Sequence, residues 1–108
     1  MEIDGARMLV AGATGALGSR LARSLAAEGA RVAVAGRHHE RLSAVAGELG
    51  APSLHFDARE ATSCERAVEE AATTLGGLDA LVVSVGVTAF GPAETTSAEA
   101  ASELFAVN

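Results

Sequence analysis

Arg7-Met8-Leu9-Val10-Ala11-Gly12-Ala13-Thr14-Gly15-Ala16-Leu17-Gly18 begins with a short, nearly continuous apolar run and ends in glycines spaced three apart. The run Arg7–Ala11 reads as a strand buried on both faces. Beyond the glycines the spacing is helical. From Ala16 to Glu28, Leu17, Leu21 and Leu25 share one side with the small Ala22 and Ala26. The segment is therefore a strand, a glycine turn and an amphipathic helix in immediate succession.

The same alternation repeats along the chain. Further short apolar runs occur at Arg31–Ala35, Ser53–Phe56 and Leu81–Val85, each predicted as a buried strand. Between them the spacing predicts helices over His39–Leu49, with Leu42, Val45, Ala46 and Leu49 on one stripe, and over Ser63–Leu75, with Cys64, Ala67, Val68, Ala71, Ala72 and Leu75. A fourth helix is predicted to begin near Ser97. Gly29, Gly50 and Gly76 come directly after helical stretches, where a left-handed residue is wanted. Thr62-x-x-Glu65 and Thr96-x-x-Glu99 read as capping boxes. Pro52 precedes the third strand, where a missing N–H is tolerable. The order β-α-β-α-β-α-β-α implies an α/β fold with a parallel sheet and right-handed crossovers.

Composition agrees with one closely packed α/β unit. The 108 residues make one small domain or part of one. The apolar set is mostly Ala, Val and Leu, with three Phe and neither Trp nor Tyr, which suits close helix-on-sheet layers. Twelve glycines are too many for a plain helical bundle. The formal net charge of −6 argues against a nucleic-acid interface, which needs a basic patch. The single cysteine, Cys64, excludes an internal disulfide, so a reduced, cytoplasmic setting is expected. Met1-Glu2-Ile3-Asp4-Gly5 lacks the basic and apolar regions of a secretory signal, and the weakly charged stretch Ala80 to Ala93 is too short to span a bilayer. His38 and His39 are adjacent and His55 is isolated, so no metal site is expected. Cys64 reads as a small buried residue, Ser19 as a surface hydroxyl, and Glu65, Glu69 and Glu70 as a solvated face.

A glycine turn between a strand and a helix is the context in which such a motif binds a dinucleotide. Gly12 permits the tight turn out of the strand. Gly15 lets the backbone approach a pyrophosphate, and Gly18 lets the helix lie close to the sheet. The helix N-terminus offers unpaired N–H groups and its positive dipole end, and Thr14 adds a hydroxyl. A nucleoside-triphosphatase loop is excluded, because it requires a lysine and the chain has none. The second strand ends in Gly36-Arg37, where an acidic residue would bond a ribose 2′-hydroxyl. Arg37 instead suits a 2′-phosphate, with His38, His39 and Arg41 as nearby donors, so NADP is expected over NAD.

With these residues in view, the whole chain resembles the N-terminal half of the short-chain dehydrogenase/reductase family. The turn is similar to the family's T-G-x-x-x-G-x-G in a spaced G-x-x-G-x-x-G form, with Ala11 in place of Thr. Gly36-Arg37 with Glu40-Arg41-Leu42 resembles the NADP-preferring strand–helix junction. Asp57, in Phe56-Asp57-Ala58-Arg59, matches the acidic residue that contacts the adenine amino group. Gly77-Leu78-Asp79-Ala80-Leu81-Val82-Val83 matches the stretch entering the fourth strand. Val83-Ser84-Val85-Gly86 stands where relatives carry N-N-A-G, with Ser84 replacing asparagine. Phe105-Ala106-Val107-Asn108 matches the run ending in the family's structural asparagine, which holds a water in the proton relay.

The resemblance implies a Rossmann-type sheet of strand order 3-2-1-4, truncated before its C-terminal half, over residues 1–108. It implies a cofactor-binding set of Gly12, Thr14, Gly15, Ala16, Leu17, Gly18, Arg37, Asp57, Ala58, Ser84 and Gly86, with Leu17 beside the nicotinamide, and Asn108 as the one member of the catalytic apparatus. The expected activity of the parent is hydride transfer on a small carbonyl or secondary alcohol, without nucleic acid or membrane partners and with oligomers expected. The family's Tyr-x-x-x-Lys has no counterpart, since the chain holds neither residue. It therefore reads as a cofactor-binding half, inactive alone. Two alternatives stand beside this. One is a non-catalytic dinucleotide sensor of the NmrA-like kind, which shares the spaced turn. The other is a remnant whose fourth strand lies at an open edge.

Overall fold

The computed structural model describes residues 2–85 and 97–107. Strands and helices alternate through β1 (Arg7–Ala11), α1 (Ala16–Ala27), β2 (Arg31–Gly36), α2 (His39–Leu49), β3 (Ser53–His55), α3 (Ala61–Leu75), β4 (Ala80–Val83) and α4 (Ala98–Val107). The strands form one parallel sheet of order β3-β2-β1-β4. β1 is central, with Val10 level with Val34 on one side and Val82 on the other. The chain reverses its winding direction at β1, with β2 and β3 on one side of it and β4 on the other.

Side-chain alternation along the strands divides the core into two layers. Val10, Val32 and Val34 pack with Ala13, Ala22, Leu42, Val45 and Ala46 beneath α1 and α2. Leu9, Ala11, Ala33 and Ala35 face the other way, against Leu54, Phe56, Ala67, Ala71 and Leu75 beneath α3. The short alanines of β2 on that face leave room for α3 to lie close, which is the use of an alanine-rich apolar set. β1 and β2 are thus buried on both faces, as expected. β4 is not: Val82 packs toward α1 and α2, but Leu81 and Val83 are 48% and 58% exposed. The reason is positional, since β4 is an edge strand and α3 does not extend over it. Val68, expected on the core stripe of α3, is exposed for the same reason, and Cys64 is only half-buried.

Helix ends obey the sequence pattern with one exception. Gly29, Gly50 and Gly76 all take positive φ just past their helices. α3, however, starts at Ala61 with Glu60 as its N-cap, and no side chain caps it. Thr62 therefore lies inside the first turn and forms no capping box. The hydroxyl in that turn with a structural role is Ser63, which is buried and accepts the Asp57 N–H at 2.9 Å. Thr96 lies outside the described residues. The strand boundaries also shift: β2 extends to Gly36, β3 stops at His55, and β4 runs from Ala80 to Val83.

The amino ends of β1 and β4 are tied together by an ion pair. Arg7 donates Nε to Asp79 Oδ2 and Nη2 to Oδ1, each at 3.0 Å, and its Nη1 reaches the Gly76 carbonyl at 2.8 Å. The backbones close the loop, the Arg7 N–H to Asp79 Oδ2 and the Asp79 N–H to the Arg7 carbonyl, both 2.8 Å. The Arg7 hydrogen bonds hold the Asp79 carboxyl down at about 2. The clamp fixes the register of β4 on β1 and lies at the opposite end of the sheet from the glycine turn.

Candidate functional site: the cleft at the carboxyl ends of the strands

The turn after β1 is shaped by two close backbone approaches. Gly12 has φ +86, and a Cβ there would stand 2.7 Å from the Ser84 carbonyl carbon and nearer still to its oxygen. The Gly12 and Ala13 N–H groups both donate to the Ala35 carbonyl, at 2.9 and 3.1 Å, so the turn is pinned to β2. The Ser84 N–H donates to the Ala11 carbonyl at 2.9 Å, which draws the end of β4 against the turn. Gly18 lies on the buried face of α1, and a Cβ on it would stand 2.7 Å from the Gly12 carbonyl carbon. These two glycines are demanded by the chain's own packing.

Gly15 is different. Its φ of −77° suits any residue, and an added Cβ would meet only the Gly12 carbonyl oxygen, at 3.6 Å, an ordinary contact. Nothing among the described residues requires glycine there. Gly15 is also the N-cap of α1, with no side-chain cap. The first-turn N–H groups of α1, which have no intrahelical acceptors, are thus left uncovered by any side chain at their cap.

Around this turn lies an open cleft of about 180 Å³, lined by Gly12, Thr14, Gly15, Gly36, Arg37, His38, Phe56, Asp57, Ala58, Ser84, Val85 and Val107. It sits at the carboxyl ends of the strands where winding reverses, the usual ligand position in open α/β sheets. Thr14 lies over Gly36, whose Cβ would come within 3.0 Å of the Thr14 methyl. Small size at position 36 is therefore what lets Thr14 seat.

At the rim, Asp57 is held from three directions. Its N–H is fixed on Ser63 Oγ. Its carboxylate accepts Arg59 Nε at 3.1 Å and the Arg59 N–H at 3.0 Å, both on Oδ1, and Arg59 Nη2 at 3.0 Å on Oδ2. These bonds from Arg59, helped by the charge of Arg37, lower the Asp57 carboxyl to about 2.

Of the residues singled out in the sequence, Gly12, Thr14, Gly15, Arg37, Asp57, Ala58 and Ser84 meet around the cleft, with His38 beside them. Ala16 and Leu17 do not line it. They are exposed on the first turn of α1, Leu17 at 64%. Gly18 lies beneath. His39 and Arg41 stand on the exposed side of α2, outside the lining. Gly86 and Asn108 lie outside the described residues, although Val107 places the end of α4 at the cleft. The pairing of Arg59 with Asp57 is the feature of the described site that sequence reasoning missed. Its only local signal is Asp57-Ala58-Arg59 after a strand, a spacing at which an aspartate bonds the backbone two residues on. Among the described residues no group of acidic, histidine and cysteine side chains could hold a metal ion, and no helix is long and apolar enough to cross a membrane.

Comparison with known proteins agrees with this geometry. The family model described as short chain dehydrogenase matches residues 6–108. The D-threitol dehydrogenase of Mycolicibacterium smegmatis is 32% identical over 99% of this chain and 43% of its own length. A short chain dehydrogenase from Burkholderia cenocepacia, solved in complex with NADP, superimposes with a TM-score of 0.85 at 28% identity, covering 99% of this chain and 46% of the other. A 3-ketoacyl-(acyl-carrier-protein) reductase from Brucella melitensis, complexed with NADH, gives 0.89 at 28% identity, covering 97% and 45%. The chain thus spans under half the length of these relatives.

Proposed function

Because the chain belongs to the short-chain dehydrogenase family, we propose that its cleft is the adenosine-and-pyrophosphate end of a nicotinamide dinucleotide site, with NADP preferred, and that residues 1–108 are the cofactor-binding part of an oxidoreductase acting on a carbonyl or secondary alcohol. The observation that carries the reading is Gly15. It is a glycine that packing among the described residues does not need, at the N-terminus of α1, facing space that a Cβ would enter. A pyrophosphate seated there would accept first-turn N–H bonds and lie at the positive end of the helix dipole.

The assignments of the other cleft-lining residues rest on position. Gly12 and Gly18 shape the turn, and Thr14 offers a hydroxyl to the phosphates. Asp57 and the Ala58 backbone suit an adenine edge. Arg37 suits a 2′-phosphate, with His38 as a second donor. Ser84 suits the ribose side by its place on the lining, whereas Gly86, Ala16, Leu17 beside the nicotinamide, and Asn108 in the proton relay are assigned from membership of the family alone. The cleft is smaller than the roughly 300–1,000 Å³ of a typical ligand pocket, which fits one end of a dinucleotide. When bound, the cofactor supplies or accepts a hydride.

Fluorescence titration of the chain with NADPH and NADH tests this. Saturable binding, tighter for NADPH, is expected. Absence of binding by both would overturn the proposal, and tighter NADH binding would overturn the NADP preference.

A further inference from the structure

The cleft puts the Asp57 carboxylate on the same lining as Arg37, the residue assigned to the extra phosphate of the proposed ligand, and the structure shows what pairs with it. Asp57 lines the cleft with Arg37. Its side chain is 12% exposed, and the charge of Arg37 helps to lower its pKa. An ionised Asp57 alone would oppose any phosphate held at Arg37. Arg59 is the ion-pair partner of that carboxylate. It stands outside the lining, yet its Nε and Nη2 engage the two carboxylate oxygens, and its backbone N–H adds a third bond. The Ser63 hydroxyl fixes the Asp57 backbone, so the pair is held in place.

Resting on the dinucleotide reading of this cleft, we propose that Arg59 is a specificity-determining residue: by pairing both carboxylate oxygens of Asp57 it cancels a negative charge beside Arg37, and so lets the site accept a 2′-phosphorylated adenosine. It acts through Asp57, as a positioning residue, and touches no ligand itself. The pairing leaves Asp57 oriented, so the adenine edge is still met by a fixed carboxylate. Arg37, Asp57 and Arg59 together carry a single positive charge, and the group becomes neutral without Arg59.

The test is the ratio of NADPH to NADH affinity in the unsubstituted chain, in Arg59→Gln, in Asp57→Asn and in the double variant, with 2′,5′-ADP and 5′-AMP as competitors and circular dichroism to verify folding. Arg59→Gln should weaken NADPH and 2′,5′-ADP by about three- to tenfold, the order of effect of removing one positive charge near a doubly charged phosphate at a solvated surface. NADH and 5′-AMP should change by less than about twofold, and the difference should shrink in high salt. The double variant should recover the original ratio, because both charges are gone. Asp57→Asn alone should raise the ratio, which keeps the test open if Arg59→Gln fails to fold. Equal weakening of both dinucleotides by Arg59→Gln would mean that Arg59 only supports the loop, and would overturn the proposal. An unchanged ratio in every variant would do the same while leaving the dinucleotide reading intact. Failure of the unsubstituted chain to bind either dinucleotide would overturn both.

Discussion

Gly15→Ala and Gly18→Ala should separate what the fold needs from what the ligand needs. At Gly18 the new Cβ would press on the Gly12 backbone, 2.7 Å from its carbonyl carbon. Backbone cannot rotate aside as a side chain can, so α1 must lift from the sheet. Overpacking of this kind costs about 1–3 kcal/mol or more, out of a total stability of about 5–15 kcal/mol for a domain. At about 4–8 °C per kcal/mol for a domain near this size, the melting temperature should fall by roughly 5–20 °C. At Gly15 the Cβ meets one atom at 3.6 Å, with φ already ordinary. Losing glycine at an N-cap costs about 1 kcal/mol, and the smaller unfolded-state entropy of alanine returns about 0.4–1 kcal/mol. The melt should move by a few degrees at most. Binding should behave in the opposite way. A Cβ in the pyrophosphate seat removes at least one charge-assisted hydrogen bond, worth about 1.5–3 kcal/mol, so NADPH affinity should drop about ten- to a hundredfold. Thermal melts monitored by circular dichroism, paired with fluorescence titration, read both quantities. Wild-type NADPH affinity in Gly15→Ala, or a loss of stability equal to that of Gly18→Ala, would contradict the division of roles between the two glycines.

Arg37→Asp should shift preference from NADPH toward NADH, since a carboxylate repels a 2′-phosphate and bonds a 2′-hydroxyl; unchanged relative affinities in a titration would remove Arg37 from that role. Asp79 and Asp57 are both held at about 2 by their arginines, below the usual 3.8. A carboxyl lowered on folding stabilises the fold above its unfolded pKa and stops doing so as pH falls through the folded value. Urea midpoints should therefore be flat above about pH 5 and decline between roughly pH 4 and 2, less steeply in Asp79→Asn; equal slopes in the two proteins would show the clamp to be inert. Val83→Lys should suppress self-association of the chain, because Val83 is an exposed apolar residue on an edge strand and charge there blocks strand pairing; size-exclusion profiles unaltered by the substitution would count against the exposed β4 surface as the cause.

The order of elements and most of the turn were readable in the sequence because they depend on local patterns. Buried strands of a parallel sheet are short and apolar, helices repeat at 3.6 residues, and left-handed helix ends are marked by glycine. α2 accordingly spans the predicted His39–Leu49 and β1 the predicted Arg7–Ala11. A capping box is also a local pattern, but Thr62 shows its weakness: the Ser63 hydroxyl, bonded to Asp57, fixes the start of α3 in place of a reciprocal cap.

Relations between distant or oppositely directed groups came only with the packed fold. Apolarity alone could not show that Leu81 and Val83 lie on the open face of an edge strand, since that depends on which neighbours are present. The Arg7–Asp79 pair spans most of the chain and has no local mark. The three glycines of the turn look alike in sequence, and only their surroundings divide them. Gly12 and Gly18 are required by backbone contacts within the chain, whereas Gly15 borders open space at a helix N-terminus. Residue type set how the backbone could turn; the packing of β4 and α1 around that turn set which glycine remains for a ligand.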